Sequence, residues 1–202
     1  MTWNIRAAHA CDIRNRWSER RRLVERVIRH SRCHVIGLQE VQPHQLRAFK
    51  GFGVVRGQRY GGFNGPYAPI LFDTRDLALR SGGSIRLPHR RTCTRARFDA
   101  FVLFNTHLDP REPELVHVEG DFLIGDFNLR DVKIDGFETA EPDGPPGTFH
   151  GFTGKVARSL GRIDQILYSD RWRLIEARTV TDVPAASDHF PVIAEFELKN
   201  GR

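Results

Sequence analysis

The residues best suited to chemistry are oxygen donors and histidines standing at the ends of short apolar runs. Asn4 follows Trp3, Glu40 follows Val35-Ile36-Gly37-Leu38-Gln39, and Asn105-Thr106-His107 closes a third run. Gly125-Asp126-Phe127-Asn128 follows Phe122-Leu123-Ile124, Arg162-Ile163-Asp164 opens another run, and Ser187-Asp188-His189 precedes Phe190-Pro191-Val192-Ile193. A side chain on the end of a rigid strand is presented with little positional error. Singly, each reads more readily as a cap, a turn residue or a hydrogen-bonded structural histidine. Jointly, Glu40, Asp126, Asn128, Asp188 and Asn4 form an oxygen-rich, thiolate-free set suited to a hard cation, Mg²⁺ or Mn²⁺. Such an ion polarises a phosphoryl oxygen and stabilises a leaving alkoxide, while a histidine bonds the phosphate or takes part in proton transfer. The set therefore points to phosphoester hydrolysis.

These residues need elements to hold them. Leu23, Val24, Val27 and Ile28 recur at helical spacing with Arg20, Arg21, Arg22, Glu25, Arg26 and Arg29 around them, so residues 15–34 read as one amphipathic helix. Asn15 or Ser18 is its expected N-cap, and the arginine run reads as a solvated outer face that assigns no function by itself. Short apolar runs at residues 34–41, 52–56, 69–72, 77–87, 100–107, 122–125, 163–168, 172–180 and 191–198 read as strands. Turn-rich stretches separate them, notably residues 61–66 and 141–147. With no repeat and no long linker, the pattern is that of one α+β domain over residues 1–202, built on two packed sheets.

Composition narrows the class. The chain has 202 residues, 40% of them hydrophobic, with 14 Phe, enough to bury a core and to exclude a disordered or fibrous protein. No window approaches the ~18 consecutive apolar residues of a membrane span, and no apolar leader follows the first Met. Three widely spaced cysteines, Cys11, Cys33 and Cys93, give neither a disulfide framework nor a thiolate zinc site, which suits a reducing cytoplasmic setting. The net charge of +6 suits an anionic partner.

The ordered motifs Thr2-Trp3-Asn4-Ile5-Arg6, Leu38-Gln39-Glu40-Val41, Asn105-Thr106-His107-Leu108-Asp109, Gly125-Asp126-Phe127-Asn128, Gly147-Thr148-Phe149-His150-Gly151-Phe152, Arg162-Ile163-Asp164 and Ser187-Asp188-His189-Phe190-Pro191 resemble those of the endonuclease/exonuclease/phosphatase superfamily. The resemblance spans nearly the whole chain. It is nearest to bacterial family hydrolases, through Arg16-Trp17 to Arg22, Leu38 to Leu46 and Tyr67-Ala68-Pro69-Ile70. It implies a deoxyribonuclease-like four-layer α/β/β/α sandwich, two mixed sheets face to face, with the site at one end. By the same resemblance Glu40 is the main metal ligand, with Asn4 and Asp188 close to the ion or its waters. Asp126 and Asn128 orient the attacking water and the scissile phosphate, His189 held by Asp164 is the catalytic histidine, and His107 is a second phosphate contact. Which of Asp126 and His189 moves the proton stays open.

The chain departs from the family in three places. Pro66 precedes Tyr67 where bacterial relatives carry an acid that orients the other histidine, which leaves His107 loosely held. Only twelve residues lie between Asp109 and Phe122, too few for the outer helix found there in relatives. Residues 87–98, with His89, Arg90, Arg91, Arg95 and Arg97, are a shortened version of a loop beside the site. Tyr67, Arg90, Arg91 and Arg95 are the candidate substrate contacts, the arginines for phosphate and the tyrosine for a stacked base or sugar. Expected substrates are a nucleic acid or a small phosphoester such as a nucleotide, an inositol phosphate or a phospholipid headgroup, turned over by a monomer. A low-activity binding module that keeps the fold is the alternative class.

Overall fold

The structure is a computed structural model and describes residues 1–8, 13–59, 67–113, 118–156 and 160–199. Its strands are β1 (Thr2–Asn4), β2 (Val35–Gln39), β3 (Gly53–Val55), β4 (Ile70–Phe72), β5 (Leu79–Arg86), β6 (Thr92–Phe98), β7 (Val102–His107), β8 (Phe122–Asp126), β9 (Phe137–Thr139), β10 (Asp164–Ser169), β11 (Trp172–Thr179) and β12 (Val192–Leu198). They form two six-stranded mixed sheets, ordered β11-β12-β1-β2-β4-β3 and β5-β6-β7-β8-β10-β9. Each sheet is built around one parallel pair, β1 with β2 and β7 with β8, flanked by antiparallel neighbours.

A parallel pair needs a crossover segment, usually a helix. Between β1 and β2 that segment contains helix α1 (Trp17–Ser31), whose Val24, Val27 and Ile28 share a buried cluster with Trp3, Ile5, Ile36 and Leu38. Between β7 and β8 the described residues contain turns and no helix, as the short Asp109–Phe122 spacing leads one to expect. There the outward face of the second sheet, Phe104, Leu123 and Leu167, is covered by Leu108, Val118, Phe127 and Val132. The expected sandwich of two mixed sheets is present, helical on one outer face and irregular on the other among the described residues.

Between the sheets, Ile70, Phe72, Phe98, Leu103, Phe122, Ile124, Ile166 and Tyr168 make the central core. Toward one end the core turns polar. Asn105 Nδ2 donates to the carbonyls of Leu38 and Pro69, both at 2.9 Å, and Gln39 Nε2 donates to Asn105 Oδ1 at 2.7 Å. The sheets approach so closely here that a Cβ on Gly37 would lie 2.6 Å from Asn105 Oδ1. Buried and bonded to one another, though Gln39 Oε1 has no partner among the described residues, these groups fix the stagger of the two sheets immediately beneath the strand ends that carry the candidate residues.

Several local expectations are corrected. The helix is shorter than residues 15–34, and neither Asn15 nor Ser18 caps it. Asn15 lies in a 3-10 turn, Ser18 is inside the first helical turn, and Arg16 occupies the N-cap without a side-chain bond. Arg20 is not on the solvated face but buried. Residues 92–98 are the regular strand β6, with Thr94, Ala96 and Phe98 turned inward and Cys93, Arg95 and Arg97 outward. The three-residue strand β9 carries too short a pattern to be read in sequence. Cys11 and the turn at residues 61–66 lie outside the described residues.

Candidate active site

Register within each sheet aligns its strand-end residues, and the stacking of the sheets brings the two sets together. Asn4 is opposite Gln39 in the β1–β2 ladder, so Glu40 follows beside it. His107 is opposite Asp126 in the parallel β7–β8 ladder, and Asp126 is opposite Asp164 in the antiparallel β8–β10 ladder. Because β12 runs antiparallel to β1, with Thr2 opposite Val192, residues 188 and 189 just before it return to the Asn4 end. All of these side chains are buried or nearly so.

Asn4 joins the two sheets. Its Nδ2 donates to Glu40 Oε1 at 3.1 Å and to Asp126 Oδ2 at 3.0 Å, while its Oδ1 accepts the Arg6 N–H at 2.9 Å. Glu40 Oε2 accepts the Ala7 N–H at 2.9 Å. Glu40 has φ 60 and Arg6 φ 56, left-handed backbone that turns the chain sharply at both strand ends. Burial by itself would raise the Glu40 carboxyl. His107, the Ala7 N–H, the Asn4 amide and His189 outweigh it and hold the carboxyl below its ordinary value.

His189 Nδ1 donates to Asp164 Oδ2 at 2.8 Å, which fixes the ring and leaves Nε2 3.9 Å from Asp126 Oδ2. Asp164 is anchored from behind, its N–H donating to Thr148 Oγ1 at 3.2 Å. Phe149 sets its ring edge to face with His189, and Trp3 Nε1 donates to the His189 carbonyl at 2.8 Å. Burial opposes a charged imidazole, but Asp164, then Asp126 and Asp188, prevail and push His189 up to about 10. The carboxylates around the ring therefore favour its charged form. Burial also raises the Asp164 carboxyl, and the charge of His189 opposes that rise.

His107 Nε2 lies 3.6 Å from the same Asp126 Oδ2. Asp126 Oδ1 accepts the Asn128 N–H at 3.1 Å in a tight turn, Asn128 having φ 52, and Asn128 Nδ2 donates to the Leu108 carbonyl at 3.0 Å. Asp188 Oδ2 is engaged by Arg6 Nη1 at 2.5 Å, so this aspartate is charge-paired within the site. Tyr67 is bridged to Val41 through both backbone groups, one residue past Glu40, with the Arg59 guanidinium 5.9 Å from its ring centroid. Pro66 lies outside the described residues.

The basic candidates part company. Arg91 leads into β6 beside the end of β7 and pairs with Asp109 at 3.2 Å, and Arg90 is exposed on the hairpin turn with φ 61. Arg95 shares the outward sheet face with Phe104 and reaches Ser81 Oγ at 3.4 Å, so the fold does not bring it to the cluster. Residues not singled out in the sequence also take part: Arg6 on Asp188, Thr148 behind Asp164, Phe149 against His189, and Ser187 Oγ donating to the Asn4 carbonyl at 2.6 Å. They sit in the motifs of residues 2–6, 147–152 and 187–191, where motif membership was their one signal.

Donor atoms of Asp126, Asp164 and His189 lie within 4.8 Å of one another and could hold a metal ion. Asp164 Oδ1 is buried with no hydrogen-bond partner among the described residues. His189 Nδ1 is spent on Asp164, so in this group only the carboxylates can ligate; with Glu40 Oε1, which shares the Asn4 amide with Asp126 Oδ2, they make an oxygen donor set that fits a hard divalent cation.

The family model described as Endonuclease/Exonuclease/phosphatase family matches residues 1–189. Among solved structures, a mannosyl-6-phosphatase from Bacteroides thetaiotaomicron VPI-5482 superposes with TM-score 0.81 at 21% identity, covering 98% of this chain and 98% of that one. A functionally unknown conserved protein from Enterococcus faecalis V583 gives TM-score 0.82 at 22% identity, with 98% of each chain covered. TDP2 from D. rerio, complexed with a single-strand DNA product, gives 0.68 at 16% identity over 97% of each chain. At these identities the likeness is one of fold. No curated protein matches the chain in sequence.

Proposed function

Because this chain belongs to the endonuclease/exonuclease/phosphatase family, whose members are hydrolases of phosphoester bonds, we propose that it is a divalent-metal-dependent phosphoesterase acting by in-line attack of water. The observation that carries this reading is the convergence on one oxygen. Asp126 Oδ2 has Asn4 Nδ2 at 3.0 Å, His107 Nε2 at 3.6 Å and His189 Nε2 at 3.9 Å.

Each residue then has a task. The imidazolium of His189, oriented by Asp164, and the ring of His107 meet the negative charge on the phosphoryl oxygens. Asp126 accepts the proton lost by the attacking water, since His189 already carries one; Asn128 shapes the turn that aims it. Glu40 would hold the cation, with Asn4 and Asp188 close to it, because Glu40 is kept ionised and the positive His189 disfavours a cation beside its own ring. Mg²⁺ is the expected ion, and it supplies polarisation of the phosphoryl oxygen and charge for the leaving oxygen. Arg90, Arg91 and Tyr67, on segments flanking the strand ends, would contact the rest of an anionic substrate.

A phosphodiester, including a nucleic acid strand, is the first substrate to test. The mannosyl-6-phosphatase that aligns along 98% of both chains favours a small phosphomonoester as the second. Supercoiled plasmid, a chromogenic phosphodiester and a chromogenic monoester are assayed in parallel with Mg²⁺ or EDTA, with His189→Ala as the contamination control. Metal-dependent turnover that vanishes in the variant supports the proposal. Equal turnover in the variant, or silence on every ester, overturns it.

A further inference from the structure

Arg20 is 2% exposed, although its neighbours Arg21 and Arg22 on α1 lie at the surface. A guanidinium is held in an interior only where acceptors meet its fork of N–H groups, and here backbone carbonyls meet it. Nε donates to the Asn15 carbonyl at 2.9 Å, Nη1 to that of Ile5 and, at 3.3 Å, to that of Ala186, and Nη2 to that of Arg6 at 2.7 Å. The rings of Trp17 and Phe152 flank it, their centroids 5.4 and 5.9 Å from its Cζ.

The segments it grips are those that carry the site. Ile5 and Arg6 follow Asn4, and the next residue, Ala7, donates its N–H to Glu40. The Ile5 N–H still donates to the Gln39 carbonyl at 3.2 Å, but Arg6 and Ala7 lie beyond the β1–β2 ladder, and Arg6 adopts left-handed backbone. Ala186 precedes Ser187, which bonds the Asn4 carbonyl, and Asp188, which pairs with Arg6. Gln45 Nε2 adds a second grip on the Arg6 carbonyl at 3.1 Å.

We propose that Arg20 is a positioning residue of the active site, its planar fork fixing the backbone of residues 5–7 and 186–188 so that Glu40 and Asp188 keep their partners. The inference rests on the phosphoesterase reading of that site. A lysine, a point charge on a flexible stem, cannot hold three carbonyls of two segments in one plane.

The test compares wild type with Arg20→Lys, and with Arg20→Gln, which leaves no buried charge. Amide hydrogen exchange is read by mass spectrometry and steady-state kinetics on whichever phosphoester the wild type turns over. The expected result is roughly tenfold faster exchange at residues 5–8 and 186–189 with protection of residues 24–28 kept. With it, kcat falls about 100-fold while KM stays within about threefold, the signature of misplaced reacting groups rather than lost binding. Unchanged exchange in the two clamped segments overturns the clamp, and loosened segments with undiminished kcat overturn its catalytic consequence. Equal loss of protection throughout α1 makes Arg20 a general fold residue and overturns the proposal. A wild-type protein silent on every phosphoester overturns the functional reading itself, an outcome distinguishable from all of these.

Discussion

Asp164→Asn isolates the charge in the His189 pair, because the amide keeps the volume and an oxygen able to accept the Nδ1–H that Asp164 Oδ2 now takes at 2.8 Å. His189 stands at about 10 against an ordinary 6.5, a difference of 10 − 6.5 = 3.5 units. Shared with Asp164, this is a preference for the imidazolium on the order of a few kcal/mol, at ~1.4 kcal/mol per unit. Burial works against that form, and Asp164 is the largest of the groups favouring it, ahead of Asp126 and Asp188. Removing its charge should lower the His189 midpoint by roughly two units or more. The sign follows from linkage: a raised folded pKa contributes stability fully present below 6.5 and lost as pH rises through about 10. The raised Asp164 carboxyl acts in the opposite sense, so the net stabilisation is smaller than the His189 figure alone. The assay is an imidazole ¹⁵N titration of EDTA-treated wild type and variant, paired with the pH–rate profile of the Mg²⁺-loaded proteins. The alkaline limb of the rate should move to lower pH with the midpoint, and kcat near pH 8 should fall by about 100-fold or more. A His189 midpoint unmoved by the substitution would refute the electrostatic argument. A moved midpoint with unchanged turnover would refute the role given to the charged ring.

Glu40→Gln should raise the Mg²⁺ concentration for half-maximal activity by about tenfold or more, read by metal titration, since it removes the carboxylate kept ionised at the site. Burial holds His150 at about 4 against 6.5, so this residue costs no stability above pH 6.5 and should cost roughly 1–2 kcal/mol as pH drops toward 4. His150→Gln should flatten that part of the urea-midpoint curve against pH; an unchanged curve would assign the acid sensitivity to other groups. Phe122 packs on the rings of Phe101, Trp172 and Phe196 between the sheets, and Phe122→Ala should cost about 3–5 kcal/mol in urea unfolding. A loss under ~1 kcal/mol would mean that this end of the core collapses into the gap.

Much of the site was legible because its chemistry sits at the ends of apolar runs. Glu40 after β2, His107 at the end of β7 and Asp126 at the end of β8 could each be picked out from residue type and position. So could the turns that join β7 to β8 among the described residues, since twelve residues between Asp109 and Phe122 leave little room for a crossover helix. The buried arginine also left a trace: Arg20, Val24, Val27 and Ile28 stand at i, i+4, i+7 and i+8, one helical stripe, and all four are buried. A solvated basic face was read instead because charge runs are normally exposed. The outward arginines of β6 were likewise masked, their alternation with Thr94, Ala96 and Phe98 hidden by the density of positive charge.

What the sequence by itself determined is the inventory: which residues have donor oxygens and imidazoles, which runs are apolar, and where the chain must turn. What the tertiary structure decided is proximity, because sheet register and the stacking of one sheet on the other are set by pairings between residues far apart in the chain. Asn4 and Asp126 are 122 residues apart yet share a hydrogen bond across the two sheets. Arg91 pairs with Asp109 beside the end of β7 while Arg95, four residues on, is carried to the outward face, and no local pattern could separate them before the β6–β7 register was known. Charge follows the same rule: His189 is an ordinary histidine in the chain, and folding sets it beside Asp164, Asp126 and Asp188, which favour its charged form against the pull of burial.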